Sequence, residues 1–246
     1  MVSVGPDEPW LTVRHAAAKG PADEIISPSR MLLPLAEIGM EGVAAWLDSI
    51  VRLGPLPSVV AQAASSQNDT LEAQLLELTT VAEGMHRLLL PKRTRMTKEQ
   101  AKEARRKALL GVNDLPEDVQ AAVQDALHHL TELSYPRRLL DLAGYVEEAV
   151  PGVTGNTAEW KKRVVNARNG CVHQLEHGFL NAESADESIA VFLSLQWLLT
   201  GMLLLQTGIS PSQLGSRLTN HEPYRLFLDQ VRTWLPAVYN SQTPAE

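Results

Sequence analysis

The chain has 246 residues, 44% of them hydrophobic and only 5% aromatic, with a net charge of −7. That is enough apolar material for a core without disulfides or metals, and Leu and Ala in place of aromatics favour helix over sheet. The acidic balance excludes a generic polyanion binder, so any nucleic-acid contact must come from a local basic patch. The single cysteine, Cys171, excludes an intrachain disulfide and cysteine-cluster metal sites.

Residues 1–34 hold Pro6, Pro9, Pro21, Pro28 and Pro34, which break any long helix or central strand. They are expected to form an irregular arm or linker, the tail of a further N-terminal domain. The first thirty residues carry Asp7, Glu8, Arg14, Lys19, Asp23 and Glu24 without a continuous apolar run. No secretory signal is expected, and a cytoplasmic location is.

Helical signals occupy 35–240, with 241–246 as a tail. Ile38 to Leu53 carries Val43, Trp46, Leu47 and Ile50 at helical spacing and should stop at Gly54-Pro55. Thr70 should cap a helix to about Leu90, with Leu71, Leu75, Leu78, Ala82, Met85 and Leu89 on one side. Thr97 should cap another that ends near Gly111. Pro116 should start a helix striped by Val119, Val123, Ala126, Leu127 and Leu130, broken at Tyr135-Pro136, and Arg137 to Val150 should follow.

Asn156-Thr-Ala-Glu159 has the form of a capping box with Asn in place of Ser or Thr, opening a helix to about Gly178. Ser184 to Gln206 should form a helix whose run from Ile189 to Leu205 resembles a membrane span, but that run contains Ser194, Gln196 and Thr200 and lacks flanking Lys or Arg. It is expected to be the core helix of a bundle, away from any membrane. Gly208 and Pro211 follow, then a last helix with Pro223 in its first turn and Pro236 bending or ending it. The predicted fold class is an all-α helical bundle.

The helix from Thr157 carries the residues with chemistry. Trp160, Val164, Ala167, Cys171 and Leu175 form its apolar stripe. Asn169 and His173 share a face away from that stripe. Arg168 borders the stripe, roughly 140° from His173 at 3.6 residues per turn. One regular helix therefore does not aim both at one atom, whereas two copies about a two-fold axis can. Gly170 and Cys171 are small enough to let two such helices approach closely.

Arg168-Asn169-Gly170-Cys171-Val172-His173 resembles the R-x4–6-H motif of the HEPN superfamily. Val81-Ala-Glu-Gly-Met-His-Arg87 is similar to the E-x-x-H-R helix of the HEPN domain in ApeA-type abortive phage-defence proteins, which makes Glu83 and His86 secondary candidates. The resemblance spans roughly residues 30 to 210. It implies an HEPN-like bundle and a homodimer formed through the motif helix. It also implies a metal-independent endoribonuclease with no cofactor, acting on RNA, tRNA included, in phage defence or as a toxin. Histidine titrates near neutrality and suits proton transfer at the ribose 2′-OH or the 5′-oxygen. In that reading His173 does so, Arg168 holds the phosphate, and Asn169 orients one or the other. A non-catalytic HEPN-like module binding RNA, a nucleotide or a protein is the alternative.

His173-Gln-Leu-Glu176-His177 also fits H-x-x-E-H, an inverted zinc-hydrolase signature. It needs a third ligand, for which the candidates are Glu183, Glu187 and Glu222, none of them on a recognisable ligand helix. The ribonuclease reading leaves His177 a secondary candidate. Lys92, Arg93, Arg95, Lys98, Lys102, Arg105, Arg106 and Lys107 face only Glu99 and Glu103, a basic island in an acidic chain. It is either a solvated helix face or an RNA-contacting surface. The residues singled out for RNA are Lys92, Arg93, Arg95, Arg105 and Arg106, with Lys162 extending the patch toward the motif. His128 and His129 lack ligand-like neighbours and are read as structural.

Overall fold

A computed structural model describes residues 32–65, 70–173 and 182–240. Among them are eleven helices and no strand. In chain order they are α1 (Leu35–Leu53), α2 (Leu56–Ser65), α3 (Leu71–Leu89), α4 (Lys98–Leu110), α5 (Glu117–Ala126) and α6 (Tyr135–Val146). Then come α7 (Thr157–His173), α8 (Ala182–Leu205), α9 (Pro211–Asn220), α10 (Glu222–Trp234) and α11 (Pro236–Tyr239). The expected all-α class is the observed one. Most of the N-terminal arm, the 241–246 tail and the Gly178 helix end lie outside the described residues.

Side-chain caps close the starts of α3, α4 and α7. Thr70 accepts from the Ala73 amide at 3.3 Å. Thr97 accepts from the Gln100 amide at 3.2 Å while Gln100 accepts from the Thr97 amide at 2.9 Å. Asn156 receives the amides of Ala158 and Glu159 at 3.1 and 3.2 Å, so it satisfies two of the orphan donors that open α7.

The prolines overturn part of the predicted layout. The helix expected to run to Tyr135-Pro136 stops at Ala126, and α6 begins at Tyr135 instead of Arg137 and ends at Val146, short of Val150. Pro136 sits in the first turn of α6, where a missing N–H costs nothing. Pro57 and Pro211 likewise open α2 and α9, two helices not expected from the sequence. Pro236 ends α10 and opens the short α11. Gly39, at φ 62°, interrupts α1, which starts three residues earlier than expected.

The core is built on α8. Ala190, Val191, Leu195, Leu198, Leu199 and Met202 are fully buried, and the helix packs on α2, α3, α6, α7, α9 and α10. It is long and apolar enough to cross a membrane, and here that apolar surface is the bundle's interior. The predicted stripe of α3 faces it, with Leu75, Leu78, Ala82 and Met85 fully buried.

The helix α7 is pinned at its start. Trp160 is fully buried and its indole N–H donates to Ser194 Oγ at 2.8 Å, which in turn donates to the Val191 carbonyl at 2.8 Å. Ahead of it, Gly155 adopts φ 48°, and a Cβ there would lie 2.5 Å from the Val238 carbonyl oxygen. Only glycine fits that approach.

The helices α4 and α5 form a hairpin that packs mainly on itself. Ala101 is the one buried residue of α4, and α5 has none, so the predicted stripe of α5 covers no core. Arg95 N donates to the Thr131 carbonyl at 3.0 Å and closes the hairpin's base.

Candidate active site

Arg168 emerges from α7 beside α3 and α6. Its guanidinium carbon lies 4.3 Å from the centroid of the Tyr135 ring, and its Nη2 is 3.6 Å from Glu83 Oε2. The Arg168 side chain keeps 32% of its surface exposed, which leaves N–H donors for a ligand. Asn169 is exposed. His173 closes α7, with its side chain outside the described residues, as are Glu176 and His177 altogether.

Glu83 and His86 lie on one face of α3, as their three-residue spacing requires, yet they do different things. Glu83 pairs with Arg87 at 3.0 Å as well as with Arg168. His86 turns inward to 1% exposure and meets Asp141 and Arg138, both on α6. Burial is the main force that holds its pKa below the ordinary histidine value. The Asp141 contact opposes that shift and Arg138 reinforces it.

Glu132 completes the cluster at 3.1 Å from Arg87 and 3.7 Å from Arg138. A hydrogen bond from His129 at 2.7 Å is the main cause that lowers its pKa. His129 thus has the acidic neighbour that the sequence did not reveal. Arg137 approaches Asp141 at 3.5 Å. Four guanidiniums (Arg87, Arg137, Arg138 and Arg168) therefore face three carboxylates (Glu83, Glu132 and Asp141). With the histidines neutral the network has one positive charge in excess; Arg87 and Arg137 are its most exposed arginines, and Arg168, about a third exposed, is the one on the motif helix.

Tyr135, Glu132, Arg138 and Asp141 were not among the residues picked from the sequence. The one hint in the sequence is that Arg138 lies four residues before the apolar Leu142 and so shares its face of α6, a face the structure buries. Burial pushes the Tyr135 hydroxyl well above its ordinary pKa and also raises that of the Cys171 thiol. Cys171 stays protonated and packs against the core as a small apolar group.

The basic island divides in two. Lys92, Arg93 and Arg95 are exposed on the segment between α3 and α4. Arg105 is half-buried and donates to the carbonyls of Leu127 and His128 at 3.2 and 3.4 Å, tying α4 to the end of α5. Arg106 is bidentate on Glu103 at 2.8 and 2.9 Å. Lys162 is held by Glu159 at 2.5 Å, and Arg163 by both oxygens of Glu187 at 3.0 and 3.1 Å. Among the described residues no group of three His, Cys, Asp or Glu could hold a metal ion.

The family model described as Apea-like HEPN matches residues 76–213, which run from within α3 to the start of α9 and include the network around Arg168. No curated protein and no solved structure matches the chain.

Proposed function

The chain belongs to the Apea-like HEPN family, whose model covers more than half of it, and on that premise we propose that it is a metal-independent endoribonuclease of phage defence or toxin type. The carrying observation is the Arg168 guanidinium, partly exposed and held between the Tyr135 ring and the Glu83 carboxylate. Its network is one negative charge short of neutrality, and a phosphodiester supplies one. Planar N–H donors in a fixed orientation suit the equatorial oxygens of a phosphate whose charge grows in the transition state.

In this mechanism the ribose 2′-OH attacks the adjacent phosphorus. A histidine base takes its proton, and the P–O5′ bond breaks as that histidinium, directly or through a water, returns a proton to the 5′-oxygen. The products are a 2′,3′-cyclic phosphate and a 5′-hydroxyl. His173 is the proton-transfer residue and Asn169 orients it or the phosphate. Exposed Lys92, Arg93 and Arg95 guide the RNA, while Arg105, Arg106 and Lys162 contribute less because each already has an internal partner. DNA lacks the nucleophile and is not cleaved. The active species is a homodimer through the motif helix.

The test is cleavage of RNA by the purified chain in EDTA, with His173→Ala and Arg168→Ala as controls. Inertness of the wild type, or undiminished cleavage by His173→Ala, removes the enzyme reading. The Arg168–Glu83 pair would then belong to a non-catalytic binding module, since Glu83 already occupies one edge of the guanidinium.

A further inference from the structure

Behind Arg168 runs a chain of buried polar groups that take no direct part in RNA cleavage. Asp141 is 6% exposed, and its Oδ2 lies 3.2 Å from His86 Nε2. The other ring nitrogen, Nδ1, lies 3.2 Å from Arg138 Nη1. A guanidinium only donates, so Nδ1 is the acceptor and Nε2 carries the hydrogen given to Asp141. Both nitrogens are committed, and the ring is fixed in one neutral tautomer.

Arg138 is held from other sides too. It is 7% exposed, its Nε donates to the Leu133 carbonyl at 3.1 Å, and its Nη2 is 3.7 Å from Glu132. Its Nε also lies 3.9 Å from Glu83 Oε1. The second oxygen of Glu83 is the one that meets Arg168. Glu83 and His86 are three apart on α3, and Arg138 and Asp141 are three apart on α6. Each pair thus shares a helix face, and the two faces oppose each other.

Such a cluster is a poor way to gain stability. Burying an ion pair costs several kcal/mol per charge, and well-packed apolar residues are often as good or better. What it supplies is direction: the Asp141–His86 and His86–Arg138 hydrogen bonds each fix one geometry, and ion pairs at 3.9 and 3.6 Å connect them through Glu83 to Arg168. We propose that Asp141, His86 and Arg138 form a buried relay that positions Arg168 through Glu83. Like the site it serves, the relay rests on the ribonuclease reading for its purpose, though not for its geometry. The three are positioning residues, since all are buried, at 1% to 7% exposure, behind Arg168.

Two full-chain variants test it. In His86→Gln the amide can accept from Arg138 and donate to Asp141, whereas the leucine of His86→Leu fills similar space and does neither. The direct readout is the Nη2–H resonance of Arg168 in ¹⁵N NMR at low temperature, from the nitrogen that faces Glu83. Wild type and His86→Gln should show it in slow exchange with water, and His86→Leu should lose it. RNA cleavage should fall about 10- to 100-fold in His86→Leu, the scale of a small misplacement of a catalytic group. His86→Gln should restore most of it.

In a Glu83→Ala background, which cuts the last link to Arg168, His86→Leu should cost nothing further, because the relay acts only through that carboxylate. A further loss there, or an unchanged Arg168 resonance in His86→Leu, overturns the proposal. If His86→Leu does not fold, Glu83→Ala at the partly exposed last link replaces it, and persistence of the resonance is equally fatal. A wild type that cleaves no RNA defeats the functional reading, while the resonance still decides the relay.

Discussion

Arg168 stacks on Tyr135, guanidinium over ring at 4.3 Å, so the first residue of α6 is a platform for the arginine of the motif helix. A cation over an aromatic face is worth about 0.5 to 2 kcal/mol. Tyr135→Phe keeps the face and should keep RNA cleavage. Tyr135→Leu loses it and should lower cleavage by about threefold to thirtyfold. Initial rates on one RNA substrate compare the two, and equal rates would show that the stacking is incidental.

The histidine at the centre of the relay should be visible in stability against pH. The pKa of His86 is depressed below an ordinary value near 6.5, so the unfolded chain binds its proton more readily than the native one. Stability is then fully present above about pH 6.5 and is lost as pH falls from there toward the lowered folded pKa. His221, also depressed by burial, adds a loss of the same sign. Melting temperatures between pH 7.5 and 5 should fall less steeply in His86→Gln than in wild type. A slope unchanged by the substitution would mean that His86 is not buried neutral.

The anchor of the motif helix is a second stability test. Trp160 Nε1 has Ser194 Oγ as its partner at 2.8 Å in a fully buried setting. Ser194→Ala leaves that N–H without an acceptor and should cost about 1 to 3 kcal/mol. Trp160→Ala opens a cavity as well and should cost about 3 to 5 kcal/mol. Urea unfolding midpoints measure both, and a Ser194→Ala variant as stable as wild type would contradict the buried hydrogen bond.

Much of this was legible in the sequence, and where it was not the reason is specific. The helix α3 announced itself because Thr70 caps it and its apolar residues recur at helical spacing, and α7 because Asn156 opens it. Pro136 and Pro211 misled, because proline is as compatible with a first turn as it is hostile to an interior. Arg168 stood out through its motif. Arg138 and Asp141 did not, because a charged pair three apart on a helix ordinarily marks a solvated face. Only the packing of α6 on α3 turns that pair inward.

The basic island should separate into two classes of mutant. Replacing Lys92, Arg93 and Arg95 by Gln touches exposed side chains and should leave the melting temperature unchanged. RNA affinity should weaken, and the salt dependence should flatten by about one unit of slope for each phosphate that is no longer neutralised. Arg105→Ala removes the donor to Leu127 and His128 and should loosen the α4–α5 hairpin instead. Fluorescence titrations at several salt concentrations, paired with melting curves, distinguish the two. Equal salt slopes for wild type and the triple variant would leave the island a solvated surface.

The spacing of Arg168 and His173 on one helix sets the most demanding prediction. At 3.6 residues per turn they point roughly 140° apart, so a composite site takes the arginine from one protomer and the histidine from the other. Arg168→Ala and His173→Ala homodimers should each be inactive. Mixed after unfolding and refolding together, half the dimers carry one variant of each kind. Each mixed dimer then has one site with both residues intact and one with neither. The mixture should therefore regain about a quarter of wild-type RNA cleavage. If arginine and histidine of one site came from the same chain, every site would lack one of them and the mixture would stay inactive.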